Sequence, residues 1–350
     1  MLRRLISALT SLAIAFSVAS AQTPTSTGAL QSQSLSIPHV DTPAAEQHVT
    51  GITIPRSTEN WETLSLDKSG LRLSDNGGPV LSRVENPEFT REMVRLQWRL
   101  ADPIELYVIR PHGVANPPVI LYLYNYNSDV DRFRDDGWCQ RVTQDGFAAV
   151  GFVSALGPQR FHTPRPMKQW FVSELQEALA SSTHDVQMIL NYLTTRGDLD
   201  MKSVGMFGQA SGGTIALLAA SVDSRILAVD AMDPWGDWPD WLKGSAQIPE
   251  NERPAYLTPE FLSKVGNLDP LVVLPRLKLR ALRIQQLLDD PLTPLTAMDK
   301  IKAAAPRPED VVRYKDWRAH QAAMQDVGLS GWLRTQLRPT TQPNSTSGTN

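Results

Sequence analysis

"GMFGQASGGTIALLA", Gly205 to Ala219, is the stretch on which the fold turns. Val204 to Phe207 reads as a buried strand and Gly212 to Ala220 as a helix. Between them Gly208-Gln209-Ala210-Ser211-Gly212 fills the five places of G-x-S-x-G. That pattern marks a sharp strand-to-helix turn that presents a nucleophilic serine, and its flanking positions must be small because the two backbones nearly touch. Here the third place holds Ala210 and the serine comes one residue later. Centring the turn on Ser211 would put Gln209 where a small residue is needed, so the register with Ala210 at the nucleophile position is preferred. A plain βα turn whose glycines serve packing alone is the alternative. A dinucleotide fingerprint fits poorly, because Gly205, Gly208 and Gly212 do not make G-x-G-x-x-G.

Outward from this turn the chain alternates strands and helices. Val94 to Trp98 and Glu105 to Arg110 alternate as a hairpin around "ADP". Val119 to Tyr124 and Phe147 to Val153 are apolar runs of the kind buried on both faces. Asp185 to Thr194 has helical spacing, with Val186, Ile189, Leu190 and Leu193 on one side. Strands are expected at Ile226 to Met232, Ala281 to Leu288 and Val311 to Tyr314. A helix is expected from Pro294 with Thr293 as its N-cap, and a last one from about Arg318. A hairpin leading into buried parallel strands predicts a mostly parallel sheet with helices on both faces, and the working residues in the loops at the strands' carboxyl ends.

This order of elements, with the G-x-S-x-G-like turn, resembles the α/β-hydrolase superfamily (serine esterases, dienelactone hydrolases and peptidases) over roughly Phe89 to Leu337. The family's triad runs nucleophile, acid, histidine along the chain. Asp290-Pro291-Leu292-Thr293-Pro294 is similar to the D-x-x-T-P after the family's seventh strand, so the resemblance implies Asp290 as the acid, with Asp289 beside it. Asp233, after Met232, is the alternative, since some relatives carry the acid at the end of the sixth strand. The other reading of these aspartates is that they only favour the N-terminus of the coming helix. His320 is the only histidine after the acid and stands where the family's general base belongs. The resemblance also implies an oxyanion hole made by the N–H of Ser211 and that of Asn125 or Tyr126 in "YNYNSD", a loop in which many relatives have glycine. Trp235, Trp238 and Trp241 recur in "MDPWGDWPDWL" where the family often carries a lid. They pack that lid onto the body or form aromatic walls for a ligand.

The 350-residue chain has a formal net charge of −3 and no basic run, which argues against nucleic acid as a partner. "MLRRLISALTSLAIAFSVASAQ" has a basic start, a short apolar run and an Ala19-Ser20-Ala21 site, the features of a Sec-type signal peptide cleaved before Gln22. A mature chain with no membrane span, in a bacterial periplasm or outside the cell, is expected. Cys139 is the only cysteine, so there is no intramolecular disulfide and no cysteine metal site. No metal or cofactor is expected. Residues 1–21 thus read as leader, 22–60 as a low-complexity spacer and 61–337 as the α/β domain, with its core from about 89 and a Trp-rich lid at 233–265. Residues 338–350 read as a polar tail.

These residues support three readings of function. A methyl group at Ala210 cannot attack a carbonyl, which points to a degenerate hydrolase that binds a small ester- or amide-like ligand or a protein partner. Alternatively, Ser211 serves an active ester or amide hydrolase through a displaced turn. In the third reading a His320–Asp290 dyad acts as general base without a serine.

Overall fold

The computed structural model describes residues 59–71, 77–99, 102–126, 130–157, 160, 174–325, 328 and 330–338. The expected leader, nearly all of the spacer and all of the polar tail beyond Arg338 lie outside these residues. Nine strands form one sheet: β1 (Val80–Glu85), β2 (Phe89–Arg99), β3 (Asp102–Pro111), β4 (Pro118–Leu123), β5 (Ala148–Gly151), β6 (Asp200–Gln209), β7 (Ile226–Met232), β8 (Ala281–Leu287) and β9 (Val311–Tyr314). Their spatial order is β1-β2-β3-β5-β4-β6-β7-β8-β9. The first three pairings, β1 with β2, β2 with β3 and β3 with β5, are antiparallel. All the others are parallel. The expected hairpin is β2–β3, and Asp102 and Pro103, expected in its turn, belong to strand β3, with Asp102 paired to Arg99.

Alternate residues of each central strand enter separate cores, because successive side chains point to opposite faces. Val119, Leu121 and Leu123 of β4 join the side covered by α2 (Leu175–Arg196) and α3 (Ser211–Ala220). Ile120 and Tyr122 face α1 (Asp136–Thr143), through Trp138 and Val142, and a C-terminal helix, Gly331–Leu337, through Leu333 and Leu337. Between β7 and β8 the chain forms four short helices, α4 (Trp238–Gly244), α5 (Arg253–Tyr256), α6 (Pro259–Gly266) and α7 (Pro270–Val273). Helix α8 (Leu295–Ala304) follows β8, α9 (Trp317–Met324) follows β9, and Gly331–Leu337 is α10.

Three expectations need correction. Strand β1 precedes the expected start of the core near residue 89. All six of its residues are exposed on the sheet's edge, so it has no buried face to leave a pattern in the sequence. Thr293 does not cap α8: Pro294 is the N-cap residue and the helix begins at Leu295. The extended ψ of 141° at Pro294 delays the helix by one residue.

Finally, α2 begins at Leu175 instead of near Asp185, and its first half buries Ser181, Ser182, Thr183, His184 and Asp185. Apolar periodicity fails there because that half carries a buried ion network. Arg99 pairs with Glu59 at 2.5 Å and with Asp185. Arg160 pairs with Asp102 and Asp185 at 2.5 Å each. Burial alone would raise the Asp185 carboxyl, yet Arg160 and Arg99 bring it below its ordinary value. His184 lies 2.7 Å from Glu59 through Nδ1 and donates from Nε2 to the Thr63 carbonyl at 2.9 Å. Glu59, assigned from sequence to the spacer, is therefore part of the folded body.

Candidate functional site

Parallel register brings the carboxyl ends of the central strands together. Leu123 pairs with Gly208, and Gln209 with Met232. The loop at Asn125–Tyr126, the turn at Ala210 and Asp233 therefore follow neighbouring strand ends. Met232 pairs in turn with Gln285, which brings the "DDPLTP" loop to the same end of the sheet.

Ala210 stands at the tip of the strand-to-helix turn with φ 50° and ψ −115°. Positive φ in a residue with a Cβ costs on the order of 1–3 kcal/mol and persists only where the surroundings over-determine it. Here the Ala210 N–H donates to the Met232 carbonyl at 2.8 Å, and its own carbonyl accepts from the Thr214 N–H at 3.0 Å. The flanking glycines are obligatory: a Cβ on Gly208 would lie 2.3 Å from the Gly212 oxygen, and one on Gly212 would lie 2.2 Å from the Leu123 oxygen. Ser211 begins α3 and is fully buried. Its hydroxyl accepts from the Tyr126 N–H at 2.9 Å and donates to Asn125 Oδ1 at 3.1 Å. Asn125 Oδ1 also accepts from the Tyr126 N–H, at 3.0 Å. Ser211 and the Asn125–Tyr126 loop are thus joined to each other.

The acids and the histidine are not joined. Asp290 turns back within its own loop and accepts from the Leu292 N–H at 3.0 Å. Burial raises its carboxyl above the ordinary range. Asp233, 5% exposed and at φ 45°, accepts from the Leu287 N–H at 2.7 Å. Burial, with the charges of Asp290 and Asp289 beside it, pushes its carboxyl up to about 7. His320 is 2% exposed and lies on α9, stacked on Trp317 at 4.9 Å with the Tyr314 ring edge-on at 5.1 Å. Neither of its ring nitrogens has a hydrogen-bond partner among the described residues. Burial, and then the Arg283 charge, lower its pKa, which favours neutral imidazole. His320 and Asp290 are therefore not hydrogen-bonded to each other: the carboxylate accepts within its own turn, and the ring lies against two aromatic side chains.

Trp235, Trp238 and Trp241 are likewise not the walls of an open cleft. All three are buried, with the Trp235 and Trp241 rings 4.6 Å apart and Trp238 edge-on to Trp241 at 5.8 Å. The Trp238 indole N–H donates to the Val265 carbonyl at 2.9 Å. Asp269 accepts from the N–H groups of Asp237 and Trp238 at 2.9 and 3.0 Å, which fixes the start of α4. Trp235 also lies edge-on to Tyr126 at 5.9 Å. Sequence reasoning missed Gln247, whose amide donates to the Tyr126 hydroxyl at 2.6 Å. Nothing in "SAQIPE" marks that residue, since the contact spans more than a hundred positions. Among the described residues no cluster of three or more His, Cys, Asp or Glu side chains could hold a metal ion, and no helix is long and apolar enough to cross a membrane.

No known family model matches the chain, and no curated protein matches it. Solved structures do. Acetyl xylan esterase 1 from Thermoanaerobacterium sp. JW/SL YS485 is similar with a TM-score of 0.60 at 17% identity, over 76% of this chain and 90% of that one. An acylaminoacyl peptidase from Pyrococcus horikoshii gives 0.53 at 14%, over 72% and 40% of the two chains. A cold-adapted esterase from an Arctic intertidal metagenomic library gives 0.53 at 12%, over 74% and 98%. At these identities the likeness is one of architecture. The chain has the α/β-hydrolase fold, shared with these esterases and peptidases.

Two outcomes follow from the electrostatics. The Asp233 carboxyl ionises at about 7 when folded and near ~3.9 when unfolded. Between those values the native state holds a proton that the unfolded chain has released, so stability falls as pH rises and the penalty is complete above pH ~7. Asp233→Asn keeps the acceptor for the Leu287 N–H. In urea denaturation it is expected to be about 1–3 kcal/mol more stable than wild type at pH 8, with no gain at pH 4. A difference independent of pH would contradict this origin. For His320, an imidazole with no hydrogen bond can be replaced by an apolar ring at little cost. His320→Phe is expected within about 1 kcal/mol of wild type, or more stable. A loss above about 3 kcal/mol would show that the ring has a partner.

Proposed function

We propose that this chain is an exported, degenerate hydrolase: a binding protein built on the α/β-hydrolase fold, with Ala210 in the nucleophile's place. One observation carries the reading. The residue at the strained tip of the turn, at φ 50°, is an alanine. A methyl group offers no lone pair to a carbonyl carbon, and losing the nucleophile from a triad costs on the order of 10⁶ in turnover. The lack of a hydrogen bond between His320 and Asp290 agrees, because an idle site has no need to align its base. Ser211 is a poor substitute nucleophile, since its hydroxyl is buried and engaged on Asn125 and Tyr126. The ligand belongs to the ester- or amide-like small molecules or is a protein. Export rests on the leader, with cleavage before Gln22.

Wild-type protein is expected to show no covalent labelling by fluorophosphonates and no hydrolysis of p-nitrophenyl acetate above that of the His320→Phe variant. Labelling mapped to Ser211 would restore the displaced-turn reading. Activity lost in His320→Phe but kept in Ser211→Ala would restore the general-base reading. Intact mass of the protein from its native host is expected to begin at Gln22; a mass that retains Met1 would refute export by cleavage.

A further inference from the structure

Acyl transfer needs more than a nucleophile: the oxygen of the attacked carbonyl gains negative charge and needs backbone N–H donors aimed at it. In the fold adopted here those donors follow the nucleophile and the strand corresponding to β4, the positions of Ser211 and the Asn125–Tyr126 loop. The Tyr126 N–H is not open to a ligand. It is shared between Ser211 Oγ at 2.9 Å and Asn125 Oδ1 at 3.0 Å, and the Ser211 hydroxyl closes the triangle by donating to Asn125 Oδ1 at 3.1 Å.

We propose that the Ser211 side chain is an internal occupant of the oxyanion hole, a second block on acyl transfer that is separate from the missing nucleophile. The proposal rests on the reading of Ala210 as the nucleophile position. Ser211 is the first residue of α3, so no earlier turn of that helix offers its hydroxyl a carbonyl. The fully buried hydroxyl is satisfied by the loop alone. A substrate carbonyl would have to displace a bond already made within the chain, and a neutral exchange of this kind gains little. Displacement would also strand the buried Ser211 oxygen without its donor. Loss of one oxyanion donor costs about 10²–10³ in turnover. Restoring a serine at the tip therefore leaves the site blocked, whereas removing the Ser211 hydroxyl as well opens it.

The test compares Ala210→Ser, the double variant A210S/S211A and the bulk-preserving double variant A210S/S211C in the full chain, with a fluorophosphonate as probe. The introduced hydroxyl oxygen attacks phosphorus. An O–P bond forms as the P–F bond breaks, fluoride leaves with the bonding pair, and the hydroxyl proton passes to water. A210S/S211A is expected to label at position 210 at least ~10-fold faster than A210S, with A210S/S211C in between. Amide exchange at Tyr126 is also expected to quicken in S211A relative to wild type. Equal or slower labelling in both double variants, or no labelling in any of them, would overturn the plug. Labelling of wild type at Ser211 would instead overturn the proposed function, so the two failures are distinguishable.

Discussion

The close crossing of three backbone segments at the end of the central strands is the constraint on which the rest of the structure depends. A Cβ on Gly212 would lie 2.2 Å from the Leu123 oxygen, and one on Gly208 would lie 2.3 Å from the Gly212 oxygen. Strand β4, strand β6 and helix α3 can approach this closely only because those positions lack side chains. The crossing forces Ala210 into positive φ and holds it there through Met232 and Thr214. It also sets the start of α3 against the Asn125–Tyr126 loop, which brings the Ser211 hydroxyl within reach of the Tyr126 N–H. The strained geometry of the turn thus follows from backbone packing.

Polar groups elsewhere in the body are treated in two opposite ways. Around α2 every charge of the ion network has a partner, as burial demands: Glu59, Asp102 and Asp185 face Arg99 and Arg160, with His184 against Glu59. This network ties the segment before β1 to the hairpin and to α2, far along the chain from the turn. At the far edge of the sheet, the His320 ring is buried with neither nitrogen bonded among the described residues. An unpaired buried donor and acceptor cost on the order of 1–3 kcal/mol each, a cost that stacking on Trp317 and the edge-on contact with Tyr314 offset only in part. A ring held by aromatic packing answers to the core, and an acid held by its own turn answers to its loop.

The Trp-rich segment shows how packing decides between uses of the same residues. Trp235, Trp238 and Trp241 recur every third position, which suits either a lid or a ligand wall. Their mutual contacts, and the grip of Asp269 on the start of α4, turn all three inward. Tyr126 marks where this cluster meets the site: its ring lies against Trp235 and its hydroxyl accepts from Gln247.

Much of this was written in local sequence. Buried strands announce themselves as apolar runs because both faces are covered, so Ile226 to Met232 was legible to the residue; the half-buried edge strand Val311 to Tyr314 was legible to the residue as well. The turn was legible because its glycines answer a steric demand of the backbone, and with it the alanine at its tip. Strand β1 was not, since an exposed edge leaves no periodicity, and neither was the first half of α2, where buried charges replace apolar residues. The order Ser211, Asp290, His320 was readable, but order along a chain does not orient side chains. Whether Asp290 meets His320, whether Ser211 faces solvent or a loop amide, and where Gln247 reaches were decided by contacts between residues distant in sequence. Those contacts exist only once the strand ends are brought side by side.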